Sequence, residues 1–132
     1  MELVTLNALR EAQARLKDVV YHTPLIKSHT EPGVYFKPET LQPIGSFKIR
    51  GAYNKIASLS PEERQRGVIA YSSGNHAQGA AYAARAIGCR AVVVMPASAP
   101  QIKIDNTRAY GAEVVLYDPL TESREAITAQ LI

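Results

Sequence analysis

The chain has 132 residues, enough for one ordinary domain and too few for two full ones. Apolar residues make up 46% and charged residues 20%, the usage of a folded protein with a core rather than a disordered or collagen-like chain. Fifteen Lys plus Arg against twelve Asp plus Glu leave +3, with the basic residues scattered rather than gathered in a stripe, which argues against a nucleic-acid partner.

Leu6, Leu9, Ala12, Leu16 and Val19 recur at spacings of three and four behind Thr5, a good N-cap, and predict an amphipathic helix. Val34-Tyr35-Phe36, after Pro32-Gly33, predicts a short strand, and Gln42, Pro43 and Gly45 predict a loop. Ser46 is placed to cap a helix running to about Ser58. Ser60-Pro61-Glu62-Glu63 is a second start signal, with proline at the first helical position and glutamate at the third. From Gly67 the pattern becomes a repeat of strand, loop and helix. Val68 to Tyr71 leads to an alanine-rich helix ending near Gly88, Ala91 to Met95 to a helix from about Pro100 to Gly111, and Val114 to Tyr117 to a helix opening near Thr121. Three such units with apolar strands and glycine-ended helices predict a three-layer α/β fold, a parallel sheet flanked by helices with right-handed crossovers. The last predicted helix is still running at Ile132, and so small a parallel sheet keeps a bare edge, so the sequence is expected to be truncated.

The longest apolar stretch, Ala91 to Ala97, falls far short of the ~20 residues of a membrane helix. The N-terminus also lacks the layout of a signal peptide, so a cytoplasmic protein without a membrane partner is expected. Cys89 is alone, which excludes an intrachain disulfide and reads as a small buried filler. His22, His29 and His76 have no second ligand at metal-binding spacing, so no metal is expected. Neither G-x-G-x-x-G nor G-x-x-x-x-G-K-[ST] occurs, which removes the dinucleotide-binding and P-loop readings.

In an open α/β sheet the ligand sits beyond the carboxyl ends of the strands, which directs attention to Ser72-Ser73-Gly74-Asn75-His76. Small side chains, a glycine and the free N–H groups of a helix start would receive a carboxylate or phosphate; the competing reading is that Ser73 or Asn75 merely caps the helix. Lys48 falls in the first turn of a helix, whose positive end favours a neutral, nucleophilic amine; the competing reading is a solvated lysine beside a solvated Arg50.

Together, Lys37-x-Glu39, Ser46-Phe47-Lys48-Ile49-Arg50-Gly51-Ala52 and Ser72-Ser73-Gly74-Asn75-His76-Ala77-Gln78-Gly79 resemble the pyridoxal-phosphate enzymes of the threonine dehydratase and serine racemase family, with the tryptophan-synthase-β-like fold called type II. Thr23-Pro24-Leu25, Met95-Pro96 and Tyr110-Gly111-Ala112 extend the likeness along nearly the whole chain. The resemblance implies pyridoxal 5′-phosphate held by Lys48 as a Schiff base, with Lys48 then acting as the base that removes the α-proton while the cofactor stores the electron pair. It implies Phe47 against the cofactor ring, Asn75 on the phenolic oxygen, and Ser72, Ser73, Gly74, Asn75 and His76 around the carboxylate of a small amino-acid substrate. In a dehydratase, L-threonine or L-serine loses its β-hydroxyl and ends as a 2-oxo acid and ammonia. In a serine racemase, Ser73 would be the acid/base on the opposite face of the ring. Dehydration is taken first, racemisation as the alternative, and a non-catalytic fragment or pseudoenzyme acting as a binding module as the third reading. Tyr110 and Gln78 match positions where some racemases bind a nucleotide, but Tyr110 is equally a packing residue and no nucleotide is expected.

The same resemblance implies that residues 1–66 belong to a larger domain and 67–132 to most of a smaller one, and that the full-length protein is a homo-oligomer. Family members are well over twice as long, and their glycine-rich phosphate cup lies downstream; no two glycines are adjacent here. The 132 residues alone are therefore expected to bind the cofactor weakly and turn over little substrate.

Overall fold

The computed structural model describes residues 3–131. The Thr5 hydroxyl accepts the Ala8 N–H at 3.2 Å and starts α1 (Leu6–Arg15) at the predicted cap, but the helix ends before Leu16 and Val19, which the spacing includes. Its apolar face is covered only toward its C-terminal end, where Ala12 and Leu16 are half-buried, while Leu6 and Leu9 are 61% and 57% exposed. The strand expected at Val34 begins one residue later, as β2 (Tyr35–Phe36), and pairs antiparallel with β1 (Ile26–Lys27), which periodicity cannot detect in two residues. The hairpin closes through the Ser28 N–H on the Val34 carbonyl at 2.9 Å and the Ser28 hydroxyl accepting the Glu31 N–H at 3.1 Å.

After a 3-10 turn at Glu39–Leu41 comes α2 (Lys48–Ala57). The expected cap is not the one used. Phe47, in a helical conformation, occupies the N-cap position and makes no side-chain cap bond, while the Ser46 hydroxyl is buried without a partner. A capping side chain must stand at the half-in residue with extended backbone, and Ser46 lies one place outside it. α3 (Pro61–Arg66) does carry its expected capping box: Glu63 N–H donates to the Ser60 hydroxyl at 3.2 Å and Ser60 N–H to the Glu63 carboxylate at 2.8 Å. Gly67, at φ 92°, turns the chain into β3 (Val68–Tyr71), where an added Cβ would lie 3.0 Å from the Arg90 carbonyl oxygen.

β3, β4 (Ala91–Pro96) and β5 (Glu113–Tyr117) form a parallel sheet in that order, with Val68 beside Ala91 and Val93 beside Val114. Ala91 to Met95 are all buried, and successive strand side chains face opposite ways, so both faces of β4 are covered. Ala91, Val93 and Met95 share a core with the alanines of α4 (Asn75–Ile87) and with Ile104 of α5 (Gln101–Ala109). α6 (Arg124–Gln130) packs on β3 and β4 from the other side, giving the three-layer α/β arrangement. It opens at Arg124 rather than near Thr121 because the Glu122 and Asp118 carboxylates fold the preceding turn, accepting the Asp118 and Leu120 N–H groups at 2.6 and 2.9 Å. α2 lies along α4 and adds Ala52 and Ile56 to the same core, so one cluster runs across Gly67. Cys89 is buried, its thiol donating to the Arg64 carbonyl at 3.3 Å, and burial pushes its pKa up. No helix of the described residues is long and apolar enough to cross a membrane.

Candidate active site

The end of β3 and the start of α4 form the first half of the site. Ser72 N–H donates to the Val94 carbonyl at 3.1 Å, and the Ser72 hydroxyl accepts the Gly74 N–H at 3.3 Å, which fixes the loop. Gly74 is the N-cap, no side chain caps α4, and a Cβ on Gly74 would meet nothing within 4 Å. Neither Ser73 nor Asn75 therefore acts as a cap. The first turn is left with no side-chain cap on its N–H groups or on the positive end of its dipole. Ser73, Asn75 and His76 are exposed, while Ser72 and Gly74 are half-buried.

The second half is the start of α2. Lys48 is its first residue, and its backbone packs on Gly79 of α4: a Cβ there would lie 3.2 Å from the Lys48 carbonyl oxygen and 3.3 Å from Ala52 Cβ. Gly79 is one helical turn, ~6 Å, beyond Asn75. The absent side chain thus lets the start of α2 close on the start of α4. The Lys48 side chain is exposed, with Nζ 4.9 Å from the centroid of the Phe47 ring, and it enters no ion pair among the described residues.

Arg50 is not the solvated neighbour of the simpler reading. Its Nε and Nη2 donate to the Glu39 carboxylate at 2.7 and 2.9 Å, and Thr23 donates to Glu39 at 2.6 Å. Gln42 grips Tyr21 through both its N–H, at 3.0 Å, and its carbonyl, at 2.9 Å, and Lys37 Nζ reaches the Thr23 carbonyl at 2.7 Å. The Arg50 hydrogen bonds, helped by Thr23 and Gln42 and opposed by burial, hold the Glu39 carboxyl down at about 2. This network clamps the segment around residues 21–42 to the first turn of α2. Lys37-x-Glu39, Thr23 and Arg50 all stand in motifs quoted from the sequence, but nothing there joined them into a network.

At the other end, the Asn75 Oδ1 accepts from Lys103 Nζ at 2.7 Å and from Gln78 Nε2 at 3.4 Å. Lys103 had no sequence signal. Tyr110 packs edge-on against Tyr82 at 5.6 Å and donates to the Pro43 carbonyl at 3.4 Å. A cavity of about 380 Å³ opens between α2, α3 and β3, lined by Gly51, Lys55, Ile56, Val68 and His76 among others. Of the predicted residues only His76 borders it; Phe47, Lys48 and Ser72 to Asn75 stand outside, on the open ends of α2 and α4. Among the described residues no three His, Cys, Asp or Glu side chains gather to hold a metal ion.

The sequence model of a family described as pyridoxal-phosphate dependent enzyme matches residues 16–132. L-threonine ammonia-lyase of Thermotoga maritima is 55% identical over 119 residues, covering 86% of this chain and 30% of that protein. L-threo-3-hydroxyaspartate ammonia-lyase of a Pseudomonas species is 46% identical over 132 residues, covering 96% of this chain and 41% of that protein. The structure of maize serine racemase superposes with a TM-score of 0.92 at 38% identity, over 98% of this chain and 41% of that one. The chain thus spans well under half the length of these relatives.

Proposed function

The chain belongs to the pyridoxal-phosphate dependent enzyme family, and from that premise we propose that it carries the lysine and the anion-receiving helix start of an ammonia-lyase acting on L-threonine or L-serine. The products would be a 2-oxo acid and ammonia. The observation that supports this most directly is the contact at Gly79, which sets the Lys48 backbone one turn from the uncapped start of α4.

The residues present fit the cofactor. They offer a primary amine outside any ion pair among the described residues, an aromatic ring beside it, an amide N–H₂ with its oxygen already engaged, and a helix start with no side-chain cap. When bound, the cofactor supplies an electron sink that acidifies the α-proton of an amino acid. Lys48 Nζ would hold the cofactor and would be the base that takes that proton. Phe47 would lie along the ring, and Asn75 Nδ2 would donate to the phenolic oxygen. The Ser72, Ser73, Gly74, Asn75 and His76 segment surrounds the substrate carboxylate, which the N–H groups of the α4 start bind and orient. Binding to these 132 residues alone is proposed to be weak, because no two adjacent glycines are present to cradle the phosphate.

Racemisation is the second reading, favoured by the exposed hydroxyl of Ser73 and by the likeness to maize serine racemase. In a protein that turns over L-serine, D-serine formation abolished by Ser73→Ala while elimination persists would select it. The proposal extends to residues 1–66 as part of a larger domain and 67–132 as most of a smaller one, in a homo-oligomeric cytoplasmic protein. The test is chemical: pyridoxal 5′-phosphate is added, reduced onto lysines with borohydride and mapped by peptide mass. Lys48 is expected to carry at least tenfold more label than Lys37, Lys55 or Lys103, and Lys48→Ala to lose it. Equal labelling of all four would remove the proposal.

A further inference from the structure

We propose that Lys103 is a positioning residue that sets which way the Asn75 carboxamide faces, and so which end of it meets the cofactor. The inference rests on the reading above for the cofactor but on its own contacts for the orientation. A lysine ammonium has only donors, so the Asn75 atom 2.7 Å from Lys103 Nζ has to be the carbonyl oxygen. A second relay runs in the sense that this choice sets. Asn106 Nδ2 donates to Gln78 Oε1 at 3.1 Å, which leaves Gln78 Nε2 to donate to Asn75 Oδ1 at 3.4 Å.

Gln78 is only 1% exposed, so its amide is held by these partners rather than by water. Lys103 and Asn106 both stand on α5, whereas Asn75 and Gln78 share the first turn of α4. α5 therefore fixes the polarity of the α4 start, with both donors on Oδ1 and Nδ2 as the remaining end. That polarity is the one that can donate to an anionic phenolic oxygen; the flipped amide would present a second oxygen to it. The ammonium also adds a positive charge beside the same group.

The test has two readouts on the 132-residue chain. In the cofactor-free chain, the Asn75 side-chain ¹⁵N–¹H₂ resonances are expected to be dispersed, to collapse toward random-coil values in Lys103→Met, and to recover in Lys103→Arg, which keeps a donor-only head group. Affinity for pyridoxal 5′-phosphate, read by the visible absorbance of the lysine-bound cofactor, is expected to fall ~5–10-fold in Lys103→Met. It should return in Lys103→Arg and fall further in Lys103→Glu, whose carboxylate would draw Nδ2 and invert the amide. Unchanged resonances in Lys103→Met, or changed resonances with affinity within twofold of wild type, would overturn the inference. A wild-type chain that takes no cofactor at Lys48 would count against the reading above, and the amide resonances would still judge the orientation.

Discussion

Glu39 shows what a single ionisation does in this molecule. Its carboxyl sits at about 2 instead of the ordinary 4.5, chiefly because Arg50 donates to it, and its side chain is 19% exposed. A depressed carboxylate contributes stability that is fully present above the unfolded value near 4.5 and drains away as pH falls toward 2. Allowing for partial exposure, the contribution is ~2 kcal/mol at neutral pH. Glu39→Gln is expected to cost about that much at pH 7 in urea denaturation, and the gap to wild type is expected to narrow sharply at pH 3. An equal loss at both pH values would mean that the ionised form is not what holds Arg50. Neither Arg50 with Glu39 nor Lys103 with Asn75 was legible in the sequence, because the partners lie 11 and 28 residues apart on separate elements. The places of Lys48 at the start of α2 and of the Ser-Ser-Gly-Asn turn between β3 and α4 were legible, because contiguous residues mark them.

At the scale of elements, the β-α repeat read clearly because each strand is a run of apolar residues and α4 and α5 run out at Gly88 and Gly111, both at positive φ. What did not read were features set by neighbours: the two-residue β1 and the burial of Ser46 one place before the N-cap of its helix. Gly79 belongs to the same class, since nothing local marks it as the contact between α2 and α4. Replacing it with alanine gains ~1 kcal/mol of helix propensity. The new Cβ, however, would press at 3.2 Å on the Lys48 carbonyl, a backbone atom that moves only with α2. Gly79→Ala is therefore expected to stay within ~1 kcal/mol of wild type in urea while Lys48 labelling by pyridoxal 5′-phosphate drops severalfold. Stability raised by the full propensity gain with labelling unchanged would show that α2 does not depend on this contact for its position.

For the molecule as a whole, the core is concentrated on one side. The alanines of α4, the valines of β4 and Ile56 of α2 are buried, yet no residue of α1 is buried and Leu25, Ile26, Tyr35 and Phe36 of the hairpin segment are all 45–69% exposed. Large apolar side chains left open near one end of a folded chain form a surface that binds amphiphilic dyes. The folded chain is thus expected to bind anilinonaphthalene sulfonate without unfolding, the near-ultraviolet circular dichroism of its tyrosines being retained. Because Leu6 and Leu9 are more than half exposed, Leu6→Gln with Leu9→Gln removes little buried area, and stability should change by no more than ~0.5 kcal/mol while dye fluorescence falls by about half. Hydrophobic burial at α1 would give the opposite pair of results, a loss of more than ~1 kcal/mol with the fluorescence rising as the helix detaches. The two measurements together separate an uncovered face from a packed one.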